Sequence, residues 1–183
     1  MFKRTLAMLT LGLAALTFAT PAQAGAPKIG AQGAFVLPTG DWGDFQGIGF
    51  GALLNVDYGI DAVQGLQLTG RTGLIHFLGK EIEILGTTVD GPTVNHIPLF
   101  VGAKYFFAAG VYGGLEIGPN FIMPEEGDTE VEFGFTAGLG YMIKDIDLRA
   151  FLYLPSLFPE GDDVSAFDIM GIGLTAGYRF WAP

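Results

Sequence analysis

From Gly173 to Phe180 the chain alternates, with Leu174, Ala176, Tyr178 and Phe180 at one parity and Gly173, Thr175, Gly177 and Arg179 at the other. A pleated strand sends successive side chains to opposite faces. The pattern therefore predicts a strand with one apolar face and one small or polar face. The same alternation recurs upstream, as in Ile48, Phe50, Ala52, Leu54 and Val56, or Phe133, Phe135, Ala137, Leu139 and Tyr141, or Leu148, Ala150, Leu152 and Leu154. Turn residues cut the chain into eight such segments, about 28–37, 46–57, 63–77, 93–107, 111–122, 131–142, 147–155 and 167–181. The predicted fold class is all-β.

The connections alternate in length. Residues 58–62, 108–110 and 143–146 make short turns, whereas 39–44, 78–92, 123–130 and 156–166 make longer loops. Short turns on one side and longer loops on the other are the habit of an up-and-down transmembrane barrel. Tyr58, Tyr105, Tyr141, Tyr178 and Phe180 all fall near the short-turn side, where an aromatic girdle belongs. Pro98 interrupts the fourth segment, and a strand without that N–H predicts a bulge there.

The parity opposite the apolar one collects Arg71, Lys104, Glu116, Glu132, Arg149 and Arg179, together with Gln32, Asn55, Asp57, Asn120 and Asp147. Ions inside a barrel must be paired, because a lone buried charge costs several kcal/mol. The expectation is a polar lumen network of Arg71, Lys104, Arg149 and Arg179 with Glu116 and Glu132.

Composition sharpens this picture. Half of the 183 residues are apolar, 15% are charged, 29 are glycine and none is cysteine. The N-terminus reads as a cleaved secretory signal, residues 1–24. Lys3 and Arg4 precede an apolar run from Leu6 to Phe18, and Ala22-Gln23-Ala24 forms a cleavage site. The barrel then occupies 25–183. That run is shorter than the roughly 20 residues a membrane helix needs. An exported, apolar, glycine-rich chain fits an eight-stranded antiparallel barrel in the outer membrane of a two-membrane, Gram-negative bacterium. Closure also stabilises a chain that lacks disulfides, since it leaves no unpaired edge.

Three segments carry a family resemblance. They are Phe35-Val36-Leu37-Pro38-Thr39-Gly40-Asp41, then Ile97-Pro98-Leu99 through Tyr112-Gly113-Gly114-Leu115-Glu116-Ile117-Gly118, and finally Ala176-Gly177-Tyr178-Arg179-Phe180. In these the chain resembles the small outer-membrane β-barrel domain family around the OmpX, OmpW and OmpA-barrel proteins. The resemblance implies a structural, adhesive or small-solute role, with outer-membrane lipid, lipopolysaccharide and the barrel-assembly machinery as partners. It also implies a terminal aromatic, here Phe180 followed by Trp181-Ala182-Pro183.

Chemistry is sparse. Nine basic residues less Lys3 and Arg4 leave seven against 19 acidic ones, which argues against nucleic-acid binding. The long loops hold Asp41, Asp44, Glu81, Glu83, Asp90, Glu125, Glu126, Asp128, Glu130, Glu160, Asp162 and Asp163, with Lys80 as their single base. Such a ring draws cations or simply keeps loops solvated. Glu126, Asp128 and Glu130 alternate, but not with the spacing of the helix–loop–helix calcium site, and no metal or cofactor is expected. His76 and His96 flank the longest loop, and Ser156 and Ser165 lie in the last one, with no His-x-Ser pair. Ile82, Ile84, Leu85, Leu157 and Phe158 give two loops an apolar element suited to a lid or a solute passage. The leading expectation is a monomeric, non-enzymatic envelope protein with a structural or surface-interaction role. The alternative is a porin-like narrow channel or carrier for small hydrophobic or cationic solutes, and a lipid-modifying hydrolase stands third.

Overall fold

The structure is a computed structural model that describes residues 26–84, 87–159 and 165–181. Among these residues ten strands form: β1 (Lys28–Pro38), β2 (Gln46–Gly59), β3 (Leu66–Gly79), β4 (Glu81–Ile84), β5 (Thr87–Asp90), β6 (Val94–Phe106), β7 (Val111–Pro124), β8 (Glu130–Ile143), β9 (Ile146–Leu154) and β10 (Gly171–Trp181). A short helix, α1, spans Trp42–Phe45. Eight of the strands close into an antiparallel barrel in the order β1-β10-β9-β8-β7-β6-β3-β2, and β4 and β5 form a separate hairpin. The eight-stranded antiparallel barrel that the sequence predicts is the fold.

Two strands start later than the alternation suggests, for local reasons. Before β3, the Val63 and Leu66 amides donate to the carbonyls of Ile60 and Val63, and Gly65 turns the chain at φ 85°. Before β10, the Ser165 amide donates to the Asp168 carboxylate and the Asp168 amide returns to the Ser165 carbonyl. Side-chain bonds of this kind offer the backbone an alternative to a ladder. The β4–β5 hairpin inside the second long loop is an addition to the predicted set.

The bulge expected at Pro98 is absent. Pairing lapses between Thr72↔Leu99 and Ile75↔His96 on one side, and between Pro98↔Asn120 and Val101↔Ile117 on the other, yet the register resumes unshifted on both. The first lapse falls where Gly73, at φ 154°, faces Pro98, and the second where Leu99 faces a second proline, Pro119. Each proline lacks an N–H, and the sheet loses two pairs on each side without taking in an extra residue.

The barrel is inside out relative to a water-soluble one. Every barrel strand exposes large apolar side chains, among them Phe35, Phe50, Leu68, Leu99, Leu115, Leu139, Leu148 and Leu174, and Leu139 reaches 64% exposure. An apolar surface so continuous suits hydrocarbon and not water. No helix among the described residues is long and apolar enough to cross a membrane; a barrel crosses with strands. Leu154, predicted on the apolar face with Leu148, Ala150 and Leu152, is instead buried, where the chain after β9 folds back and the Leu157 amide donates to the Phe133 carbonyl at 2.7 Å.

Candidate functional site

The inward parity fills the lumen in two halves. Nearer the short turns, six charged side chains form two groups. Glu116 on β7 accepts from Arg149 Nη1 on β9 at 2.6 Å and from the Thr136 hydroxyl on β8 at 3.0 Å. Arg71 on β3 approaches the same carboxylate, its Nε 3.4 Å away. Beneath them, Lys104 Nζ on β6 donates to Asp57 on β2 at 2.7 Å and lies 3.7 Å from Asp147 on β9. The Tyr112 hydroxyl on β7 donates to Asp147 at 2.5 Å, and Gln32 Nε2 on β1 donates to it at 3.3 Å. Three cations therefore meet three carboxylates, all buried. Balanced pairing of this kind offsets the cost of removing six ions from water.

The structure brings together Arg71, Lys104, Arg149 and Glu116 in this half, but divides them between the two groups. It does not bring in Glu132 or Arg179. Glu132 sits near the long-loop end of β8 and accepts from the Ser156 hydroxyl at 2.7 Å. Arg179, close to the short-turn end of β10, donates to the Lys144 carbonyl at 2.8 Å. Shared parity places side chains on one face and says nothing of their height along the barrel, which is why parity alone groups Glu132 and Arg179 with the network and the structure does not. The same gap hid the carboxylates that hold Lys104, Asp57 and Asp147. Both stand at inward parity in the sequence, and their nearness to Lys104 follows only from register. Tyr112 also went unread. Its signal is Gly140, cross-paired with it, where a Cβ would lie 2.1 Å from the tyrosine ring.

The long-loop half of the lumen is apolar and aromatic. Val36, Leu53, Ile75, Phe77, Phe100, Phe151 and Tyr153 make one buried cluster with Ala34. Trp42, on α1 of the first long loop, closes it from above. Its ring lies 4.9 Å from Phe77 and 6.2 Å from Tyr153, and is near-parallel to His96 at 5.9 Å. The turn carrying Trp42 is tied down on two sides. The Trp42 amide donates to the Asp168 carbonyl at 3.1 Å, and Lys80 Nζ donates to the Gly43 carbonyl at 2.8 Å. The mouth is thus covered from the first loop. Phe158, expected in a lid, is 76% exposed, Leu157 is half-buried, and Leu85 lies outside the described residues. Ile82 and Ile84 belong to β4.

His96 is buried in this aromatic half, 2.9 Å from the Tyr153 hydroxyl and 3.4 Å from Asn120 Nδ2. His76 faces outward beside Phe50 and shares a 2.9 Å bond with Asn95. Ser156 bonds to Glu132, so no serine–histidine hydrogen bond occurs among the described residues.

Of the loop acids, Asp41, Asp44, Glu81, Glu125, Glu126, Asp128 and Glu130 are exposed. Glu125 accepts from the Thr93 hydroxyl at 2.7 Å. Glu83 lies on β4 and Asp90 on β5, while Glu160, Asp162 and Asp163 fall outside the described residues. No three acidic or histidine side chains converge as metal ligands among the described residues.

What remains empty in the ionic half is a cavity of about 10 Å³ between Asp57, Thr69, Arg71, Lys104, Tyr112, Glu116 and Arg149, the room of a single water molecule. Among the described residues, three cations ion-paired with three carboxylates fill one half of the lumen, and aromatic side chains roofed by an indole fill the other.

Neither a family model nor a curated protein matches the chain. Among solved structures it is similar to Neisserial surface protein A (NspA), with 18% identity and a TM-score of 0.53 over 86% of this chain and 99% of that one. It is similar also to Ail, the attachment invasion locus protein of Yersinia pestis, with 15% identity and a TM-score of 0.52 over 85% of this chain and 99% of that one. The closed eight-strand order, the apolar exterior and these likenesses converge, and the chain has the fold of the small eight-stranded outer-membrane β-barrels.

Proposed function

We propose that the protein is a non-enzymatic barrel of the bacterial outer membrane, exported on a signal removed after Ala24, with a structural or surface-interaction role in the envelope. The observation that carries this reading is the lumen. Ion pairs fill one half, aromatic side chains fill the other, and Trp42 roofs the mouth. A barrel of eight strands has an interior just wide enough for its own side chains. With the lumen occupied, the parts left to meet other molecules are the loops and the lipid-facing wall. The two similar structures, a surface protein and an attachment invasion locus protein, agree with a role at the cell surface. The long loops then face outward, and their acids sit beside lipopolysaccharide and its counter-ions.

Fractionation and conductance test the reading. The mature chain is expected to begin at Gly25 and to sediment with outer membranes. In a planar bilayer it is expected to give no stable single-channel steps. Large reproducible steps would replace this reading by the narrow-channel one, and smaller steps on neutralising Glu125, Glu126 and Asp128 would make the mouth a cation funnel.

A further inference from the structure

The roof of the lumen rests on a buried imidazole. Trp42 lies near-parallel over His96, at 13° and 5.9 Å. Phe77 stands 4.7 Å and Tyr153 5.9 Å from the same ring, and His96 is only 3% exposed. Its Nδ1 lies between two partners, the Tyr153 hydroxyl at 2.9 Å and Asn120 Nδ2 at 3.4 Å. The Asn120 amide is fixed from its other side, because Nδ2 also donates to the Pro155 carbonyl at 3.1 Å. Turning the amide over would set its Oδ1 against that carbonyl. The hydrogen-bond network thus assigns Nδ1 as an acceptor and puts the ring's proton on Nε2.

This enclosure suits a neutral ring and not a charged one. A second proton would go to Nδ1, where it would meet the Asn120 N–H instead of a lone pair. The cation would also be cut off from water. The groups packed around it are aromatic or neutral: Trp42 from α1, Phe77 from β3, Asn120 from β7 and Tyr153, with its hydroxyl, from β9. Glu132, on β8, is paired across from Asn120, and its carboxylate accepts from the Ser156 hydroxyl. Asp41 and Asp44, on the turn that carries Trp42, are exposed. Arg71, Lys104, Arg149 and Glu116 belong to the ionic half. Among the described residues no carboxylate pairs with His96. The faces of Trp42 and Phe77 attract a cation, but by less than the hydration it would give up.

We propose that His96 is an acid-sensitive latch of the long-loop mouth: proton uptake by this ring and closure of the Trp42 roof exclude one another. An imidazole open to water takes up a proton near about pH 6.5. With the roof lifted, His96 is such a ring; beneath the roof it is neutral. The open state therefore binds one proton more than the closed state. Closure is at full strength above about pH 6.5 and weakens as pH falls, with the open-to-closed ratio rising by up to about tenfold per pH unit. The barrel wall stays as it is. What moves is a short turn, tied by the Trp42 amide to the Asp168 carbonyl and by Lys80 to the Gly43 carbonyl. Neither tie involves a carboxylate, so the imidazole is the group through which acid reaches the roof.

Trp42 reports its own position when Trp181, the other tryptophan of the chain, is replaced by phenylalanine. The Trp181→Phe chain is folded into lipid vesicles, and its fluorescence is quenched with acrylamide, a probe that carries no charge, between about pH 7.5 and about pH 4.5. Quenching is expected to be weak at the upper end, to rise several-fold below about pH 6.5, and to reverse on return, with the heat-modifiable folded band unchanged. His96→Gln keeps a carbonyl to accept from Asn120 and Tyr153 and takes up no proton, so its roof is expected to stay shut throughout. His96→Phe, which fills the same space without a proton site, is expected to behave alike and is the variant read if the glutamine chain does not fold. Glu132→Gln and Asp44→Asn are expected to leave the rise in place. No rise in the Trp181→Phe chain, an equal rise in the His96 variants, or loss of the rise in Glu132→Gln would each overturn the latch and leave the filled barrel standing.

Discussion

At the scale of single residues, the lumen concentrates its stakes in Glu116. This carboxylate is the partner of both Arg71 and Arg149. Removing its charge leaves two buried guanidinium groups without a counter-ion, and breaking such a pair costs about 3–5 kcal/mol. Glu116→Gln is therefore expected to lower the urea midpoint of the vesicle-folded barrel strongly, read by heat-modifiable gel mobility, with partial recovery on adding Arg149→Met. Outward positions answer to lipid. Leu139 is 64% exposed in the short-turn half of β8, one outward step from Tyr141, and Leu139→Arg should cost roughly 2 kcal/mol in vesicles, at the low end of the midplane range. If that variant folds as well as the parent, the wall at β8 does not face hydrocarbon. Gly140→Ala probes the inner face, since the added methyl would strike the Tyr112 ring. Overpacking of that kind costs about 1–3 kcal/mol.

At the scale of elements, the first long loop matters most. Its four-residue helix is too short to be stable alone. It is held by the Asp168 carbonyl, by Lys80, and by the burial of Trp42 against Phe77, His96 and Tyr153. Lys80, the single base of the four long loops, thus reaches across from the second loop to tether the roof. Trp42→Ala is expected to cost roughly 3 kcal/mol, in line with a large aromatic removed from a packed site. Lys80→Met, which removes one exposed hydrogen bond, should cost less than about 1 kcal/mol. Equal losses in urea unfolding would mean that the tether and not the indole holds the turn.

At the scale of the whole molecule, the charges separate into two populations. Three cations and three carboxylates pair off inside the lumen, and the exposed loop acids repel one another at one end. Salt screens exposed charges and scarcely reaches buried ones. Raising sodium chloride is therefore expected to leave the urea midpoint unchanged or to raise it, through relief of loop repulsion. A marked fall would show that the lumen pairs are open to solvent.

Much of this protein is legible in its sequence, because a period of two is a local property. Alternation from Leu174 to Phe180 gives a strand and its two faces without any knowledge of neighbours, and the rhythm of turns gives eight such strands. The inward placement of Arg71, Lys104, Glu116 and Arg149 follows from the same parity. Height along the barrel does not. It depends on register between strands far apart in the chain, so only the closed sheet could pair Lys104 with Asp57 and Asp147, set Glu132 beside Ser156, and leave Arg179 with the Lys144 carbonyl. The tertiary structure alone decided that Pro98 is absorbed opposite Gly73 without a bulge, and that Trp42 folds back to roof an aromatic half-lumen. It also set Asn120 and Tyr153 against His96, because these contacts join residues that the sequence keeps apart and only a closed ring brings side by side.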